Sequence, residues 1–235
     1  MSSRNAPCGK SVTGRAFRLL NLARFWSERP MRRSRSALAL GLALAAVMAS
    51  VAAGAPVPLG PAAVPAGHYV LDNRHASLVA HVMHEHVSYY VLRFDRMRAS
   101  FDYDPAHPEA TKLVASVDTT SLDVNGDWAE SFQRQFLKAD RFPQATFAST
   151  QVELTGETSA KMTGELTLMG VTRPVTFDVT LTGSAHEMLP LPFGQRAVGF
   201  QAVTTIRRST FGSTAFQGMV GDEVTLTIEA EFDKQ

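Results

Sequence analysis

Three histidines within six residues, His81, His84 and His86, are the densest group of metal-ligand or proton-carrying side chains in the chain. In an extended strand, successive side chains point to opposite faces. His81 is then on the other face from His84 and His86, and those two share a face only if the strand continues that far. His81 cannot join them around one ion without distortion, which leaves His84 and His86 as a start for a metal or haem site, or each as a hydrogen-bonding group. His84 falls on the apolar face of its own segment. An imidazole there is either satisfied by core neighbours or faces the polar end of a ligand. Arg207 and Arg208 end another alternating run. The period through Phe200, Ala202, Thr204 and Ile206 turns Arg208 inward, to pair with a buried acid or to hydrogen-bond a carbonyl-type group, rim exposure being the alternative. Ser121, Ser149 and Ser209 lack a nucleophile elbow, and there is no glycine-rich phosphate loop and no zinc-type spacing. The expectation is a protein that is not an enzyme and needs no cofactor.

The elements that must position these groups are mostly strands. Lys161–Gly183 reads as a hairpin: Met162, Gly164, Leu166 and Leu168 share one face of the first arm, and Val175, Phe177, Val179 and Leu181 one face of the second. Gly170 supplies the turn position, and Pro174 is expected to mark where the second arm starts. Period-two patterning with one dry face means an antiparallel sheet. The same alternation predicts strands over His68–Asp72, His75–Glu85, Arg96–Asp104, Lys112–Asp118, Ala145–Leu154, Ala197–Arg208 and Glu223–Phe232, with a Pro/Gly-rich loop at Ser184–Gln195. One helix is expected, Asp127–Lys138, started by a capping box of Asp127 and Glu130. Its stripe of Trp128, Phe132 and Phe136 packs against a sheet or a barrel mouth, plain core packing being the simpler role. The fold class is therefore all-β with one short helix. Eight or nine alternating strands most economically close into an eight-stranded antiparallel barrel, which removes their edges and leaves room inside for side chains or one small ligand.

Charge divides the chain. Residues 1–53 hold nine Lys/Arg and a single acid, Glu28, so the remainder has fourteen basic and twenty-one acidic residues, a net of −7. A folded part this acidic argues against nucleic acid or anionic headgroups as partners. Arg32, Arg33 and Arg35, the apolar run Ala37–Ala49 and the small residues Val51–Ala53 read as a signal peptide over 31–53, too short to span a bilayer comfortably. Residues 1–30 read as an upstream extension, 54–67 as a Pro/Gly-rich linker and 68–235 as one domain. The only cysteine, Cys8, precedes the signal, so the exported form carries no disulfide.

An ordered series of short segments then carries a resemblance. It runs Tyr69-Val70-Leu71-Asp72, His75, His84, Phe94, Thr120-Ser121-Leu122-Asp123 and Phe142–Ser149, continues through Gly164–Val175, and ends with Gly199-Phe200-Gln201-Ala202, Ile206, Arg208-Ser209, Phe211-Gly212 and Gly221–Val224. In this order it resembles the YceI-like family of exported polyisoprenoid-binding proteins with a lipocalin-like barrel. Departures are Leu92 and His86 where the family has glycine, Thr210 where it has Asp, and a shortened segment at Glu130–Phe136. The resemblance implies a periplasmic protein holding a long isoprenoid lipid or quinone, without stable membrane insertion, the possibility of a homodimer staying open. The ligand-facing set expected is Ala80, Val82, His84, Met97, Phe101, Phe132, Phe136, Phe147, Leu166, Phe177, Phe200, Arg208 and Phe211. The other reading is a structural or stress-response partner protein, because the many phenylalanines could plug a barrel as readily as line one.

Overall fold

The computed structural model describes residues 64–185 and 197–235. The expected leader, the upstream extension and most of the linker lie outside the described residues, as does most of the Pro/Gly-rich loop. Ala55–Gln235 is one compact unit. Val64 is fully buried and the Pro65 carbonyl accepts the Tyr69 hydroxyl at 2.8 Å, so the end of the expected linker belongs to the domain.

Ten strands form one sheet: β1 (Gly67–His84), β2 (Ser88–Phe94), β3 (Met97–Tyr103), β4 (Lys112–Asp118), β5 (Leu122–Asp123), β6 (Gln144–Leu154), β7 (Ser159–Leu168), β8 (Val171–Ala185), β9 (Ala197–Arg207) and β10 (Val220–Lys234). The pairings are antiparallel, and β10 returns to pair with β1, which closes the sheet. β2 and β3 follow one another along β1, opposite Leu78–His84 and Gly67–Val70 respectively. β5 continues β4 beyond a 3₁₀ turn at Thr119–Ser121 and pairs with β2. Counted as continuous staves, this is an eight-stranded up-and-down barrel in which each stave pairs with its neighbours in sequence. With about 3.3 Å per residue and the tilt of such barrels, the ten residues of β7 span roughly 25 Å of its axis.

Three breaks lie side by side in the wall. In β1, four residues between Leu71 and Ala76 oppose the single Glu231 of β10. The next stave breaks at Asp95-Arg96 and the third at Thr119–Ser121. Side chains stitch the seam together. Asn73 Nδ2 donates to the Asp95 carbonyl at 2.9 Å and its Oδ1 accepts the Met97 N–H, while Ser121 Oγ accepts the Arg96 N–H at 3.1 Å and donates to the Asp118 carbonyl. Backbone groups freed from the ladder are thereby satisfied rather than left orphaned. The two strands expected at His68–Asp72 and His75–Glu85 are consequently one strand with a bulge.

The central hairpin follows the expected faces, with one correction. Met169 (φ 51°) and Gly170 (φ 75°) form the two-residue turn, both left-handed as a type I′ hairpin requires. β8 therefore starts at Val171, and Pro174 sits inside the strand opposite Glu165 instead of opening it. At Gly164 an added Cβ would run into the Phe147 ring and the Ala148 carbonyl, so the wall accepts that ring only because position 164 has no side chain.

The helix, α1, spans Ala129–Leu137. The expected capping box does not form: Trp128 is the N-cap and makes no side-chain cap bond, and Glu130 instead holds Arg134 at 2.9 Å. Starting at Ala129 puts Asp127 one residue too early to cap. The helix ends at Lys138 in a left-handed conformation. Above the β4–β6 pairing, β5 has no strand on its far side, and α1 covers that edge. Gln133 Nε2 donates to the carbonyls of Thr120 (3.0 Å) and Leu122 (3.2 Å), and Thr119 Oγ1 donates to the Phe142 carbonyl.

Candidate binding cavity

The inward faces of the staves surround a cavity of about 590 Å³, within the range of small-molecule sites. Its wall is almost wholly aliphatic and aromatic. β10 contributes Val224, Leu226, Ile228, Ala230 and Phe232, the alternation legible in its sequence. Two backbone groups where ladders end are met by buried hydroxyls: Thr204 Oγ1 donates to the Thr176 carbonyl at 2.8 Å, and Ser149 Oγ accepts the Leu113 N–H at 2.8 Å. A chain lying in this lumen therefore meets CH groups, not unpaired amides.

One end is packed. Tyr69 and Phe101, directly opposite on paired strands, stack with centroids 5.1 Å apart, and Phe232 meets Phe101 edge-on at 5.0 Å. Val64, Leu181, Val198 and Ala230 complete that buried cluster. Burial raises the pKa of the nearby Tyr103 phenol.

The other end is lined. An arc of rings runs His84–Tyr90 (6.3 Å), Tyr90–Phe132 (5.7 Å), Phe132–Phe136 (5.3 Å) and Phe136–Phe216 (5.8 Å). The Arg208 guanidinium stands 5.6 Å from the centre of the Phe136 ring. Its donors go to protein carbonyls: Nε to Gly221 (2.7 Å), one terminal nitrogen to Ser213 (3.0 Å) and the other to Val220 (2.9 Å). Burial pushes the guanidinium down from its usual pKa, and the charge of Asp222 opposes that. Asp222 itself accepts the Ser209 N–H (2.9 Å) and hydroxyl (2.8 Å), and these bonds hold its carboxyl below the usual range.

Twelve of the thirteen expected ligand-facing residues lie in the cavity wall: Ala80, Val82, His84, Met97, Phe101, Phe132, Phe136, Phe147, Leu166, Phe177, Phe200 and Arg208. Phe211 does not. It sits in the 3₁₀ turn after β9 and is buried against Leu166, Met169, Val175, Phe177 and Ile206. His84 faces inward as the period requires but is solvent-exposed, being the last residue of β1, so it needs no buried partner. Arg208 turns inward but binds neither an acid nor an open face, because the chain leaves β9 at Arg207 and folds it over the 213–221 segment. His81 is not part of the wall, and His86 stands in the turn at φ 58°. Among the described residues no three His, Cys, Asp or Glu side chains are grouped to hold a metal ion.

Sequence reasoning missed β2 with its wall residues Tyr90, Leu92 and Phe94, and also Gln133, which fastens the helix. The signal for β2 was present as an apolar run, Tyr89–Leu92, but without alternation.

A closed barrel with a dry lumen and an aromatic mouth defines an internal-cavity β-barrel. Residues 69–232 match the YceI-like domain, and the chain belongs to that family. A UPF0312 protein of Enterobacter sp. (strain 638) is 36% identical over 170 residues, covering 71% of this chain and 86% of that protein. A UPF0312 protein of Pseudomonas putida (strain W619) is 32% identical over 214 residues, 87% of this chain and 99% of its own. Among solved structures, a Campylobacter jejuni YceI protein superposes with TM-score 0.53 at 28% identity, over 61% of this chain and 84% of that one. Burkholderia cenocepacia BcnA shares the fold with TM-score 0.60 at 23% identity, over 68% and 98%. A polyisoprenoid binding domain from Saccharophagus degradans shares it with TM-score 0.54 at 14% identity, over 71% and 98%.

Proposed function

We propose that this protein is a non-catalytic carrier that takes one long apolar chain, an isoprenoid lipid, an isoprenoid quinone or a similar amphiphile, into its barrel. The carrying observation is the cavity of about 590 Å³, whose wall is almost wholly aliphatic and aromatic. Each methylene moved from water into such a wall contributes roughly 0.8 kcal/mol, so a few prenyl units supply a gross driving force of order 10 kcal/mol before losses of ligand freedom. The ligand's polar end stays at the mouth, where His84, Tyr90 and the positive Arg208 favour an oxygen-bearing headgroup over a cation. The Saccharophagus degradans neighbour, named for polyisoprenoid binding, agrees in kind. Export to the periplasm through residues 31–53 is part of the same proposal, since a free carrier is most useful between two membranes. A barrel plugged by its own phenylalanines is disfavoured because the space remains with those rings in place.

Organic extraction of freshly purified protein, followed by mass spectrometry, tests this. One long-chain lipid per barrel is expected, and Ala115→Trp, which fills the lumen from β4, should exclude it. Protein that carries no such lipid and takes up no added geranylgeraniol would overturn the proposal.

A further inference from the structure

The mouth is surrounded by apolar side chains that no part of the described fold covers. Val87 is 81% exposed, Trp128 62%, and Phe216 and Met219 51% each. They come from three separate segments drawn together at one end. The Glu85 N–H donates to the Met219 carbonyl at 2.6 Å, which joins the β1–β2 turn to the 212–219 loop, and Phe216 touches Phe136 of α1. Trp128, Phe216 and Met219 also line the cavity, so the exposed rim and the dry lumen are one continuous apolar surface.

Charge follows the same division. The segments forming the mouth end, 84–88, 124–142, 169–173 and 207–223, hold six basic and six acidic residues. The segments at the other end, 64–74, 102–112, 153–161 and 229–235, hold four basic and nine acidic. The net acidity of the folded part therefore lies away from the mouth. The expectation that this acidity keeps the protein from anionic headgroups applies to the packed end and not to the rim.

From these two observations we infer that the rim docks reversibly on a lipid bilayer, mouth down, with Trp128, Val87, Phe216 and Met219 at headgroup depth. The inference rests on the carrier proposal, because a ligand insoluble in water must enter from the phase that dissolves it. An electrically neutral end with one Trp and several large apolar groups suits a bilayer interface, while the acidic end stays in solution and orients the molecule. Four exposed apolar side chains are too few for permanent insertion, which agrees with a carrier that must leave again.

The test uses Ala55–Gln235, which holds the closed sheet and both buried clusters, and whose only tryptophan is Trp128. With phosphatidylcholine vesicles, Trp128 emission should shift to the blue and be quenched by lipids brominated in the upper acyl chain. Val87→Asp lies outside the cavity wall. It should lower vesicle partition about tenfold while leaving geranylgeraniol binding in vesicle-free solution unchanged. Val114→Asp, also exposed but on the outer wall, should leave partition unchanged. Absence of quenching with probe binding intact would overturn docking and spare the carrier proposal. Equal losses in Val87→Asp and Val114→Asp, or sedimentation showing that Val87→Asp breaks up a dimer, would overturn it as well. Docking that persists in protein unable to bind the probe would overturn the carrier proposal alone.

Discussion

The two ends of the barrel use the same kinds of side chain to opposite effect. At the packed end, Tyr69, Phe101, Phe200 and Phe232 touch ring to ring, and each projects from a strand whose register the ladder fixes. At the mouth, Tyr90, Phe132, Phe136 and Phe216 also touch ring to ring, but three of them come from a nine-residue helix and a loop. Tyr69 is 1% exposed, whereas no residue of α1 is fully buried. Aromatic rings therefore act as a plug where backbone hydrogen bonds on both sides hold them. They act as a lining where a short element rests on a few side-chain bonds such as those of Gln133. The first arrangement supplies stability; the second can open.

The largest expected contrast is in stability. Phe101→Ala removes the centre of the plug and should destabilise by about 3–5 kcal/mol, while Phe132→Ala, half-exposed at the mouth, should cost about 1 kcal/mol. Urea titrations of both variants decide it, and similar costs would erase the distinction between plug and lining. Next comes Arg208→Met. It leaves three carbonyls without their donor and should destabilise by about 2–3 kcal/mol. The mouth should loosen with it, visible as faster hydrogen exchange over 212–221 but not at the packed end.

A smaller effect concerns acid. The Arg74 guanidinium and backbone N–H, with His75 behind them, hold the Asp72 carboxyl well below its ordinary range. Because the folded pKa is the lower one, the unfolded chain takes up the proton first as pH falls. The stabilisation is thus in place above the ordinary carboxylate range and is lost on descending through and below it. Asp233 on β10 works in reverse: burial, and then the charge of Asp72, raise its pKa. Asp72→Asn should accordingly show a shallower fall of Tm below about pH 4 than the unaltered protein, measured in a pH series of thermal melts. An unchanged slope would remove the β1 bulge from the acid response.

Patterning made the wall legible, with His84, Phe132, Phe136 and Arg208 at the mouth, and left β2 and the 212–219 loop hidden. The inward residues of β10 from Val224 to Phe232 and those of the central hairpin follow from alternation, because those staves have one dry and one wet face. β2 escaped because Tyr89 and Val91 are apolar on its outer face, so the period of two vanished. Of these, Tyr89 is only two residues past Val87 of the rim. The bulge at Asp72–His75 divided the alternation into two expected strands; only long-range pairing with β10 shows that they are one. For Arg208 the period gave the face but could not give its partners, which lie on a loop 5 to 13 residues further along the chain. The Asp127 capping signature was legible and is unused, since the helix begins at Ala129.

The smallest expected effect belongs to His84. At an exposed mouth position, His84→Gln should change lipid retention little and His84→Leu by no more than about tenfold, with His81→Leu, outside the wall, as the unaffected control. Lipid bound per protein is the readout, and equal retention in His84→Leu and the unaltered protein would take His84 out of the site.

The central claim is that one chain enters tail-first, its end resting on the plug and its head at the mouth. Photolabelling with two geranylgeraniol derivatives, one bearing a diazirine at the tail and one beside the hydroxyl, tests it most directly. Peptide mapping should place the tail label on Leu181, Phe200 or Phe232 and the head label on Tyr90, Phe132 or Phe136. The same residues marked by both derivatives, or labels confined to outer-wall residues such as Val91 and Val114, would contradict it.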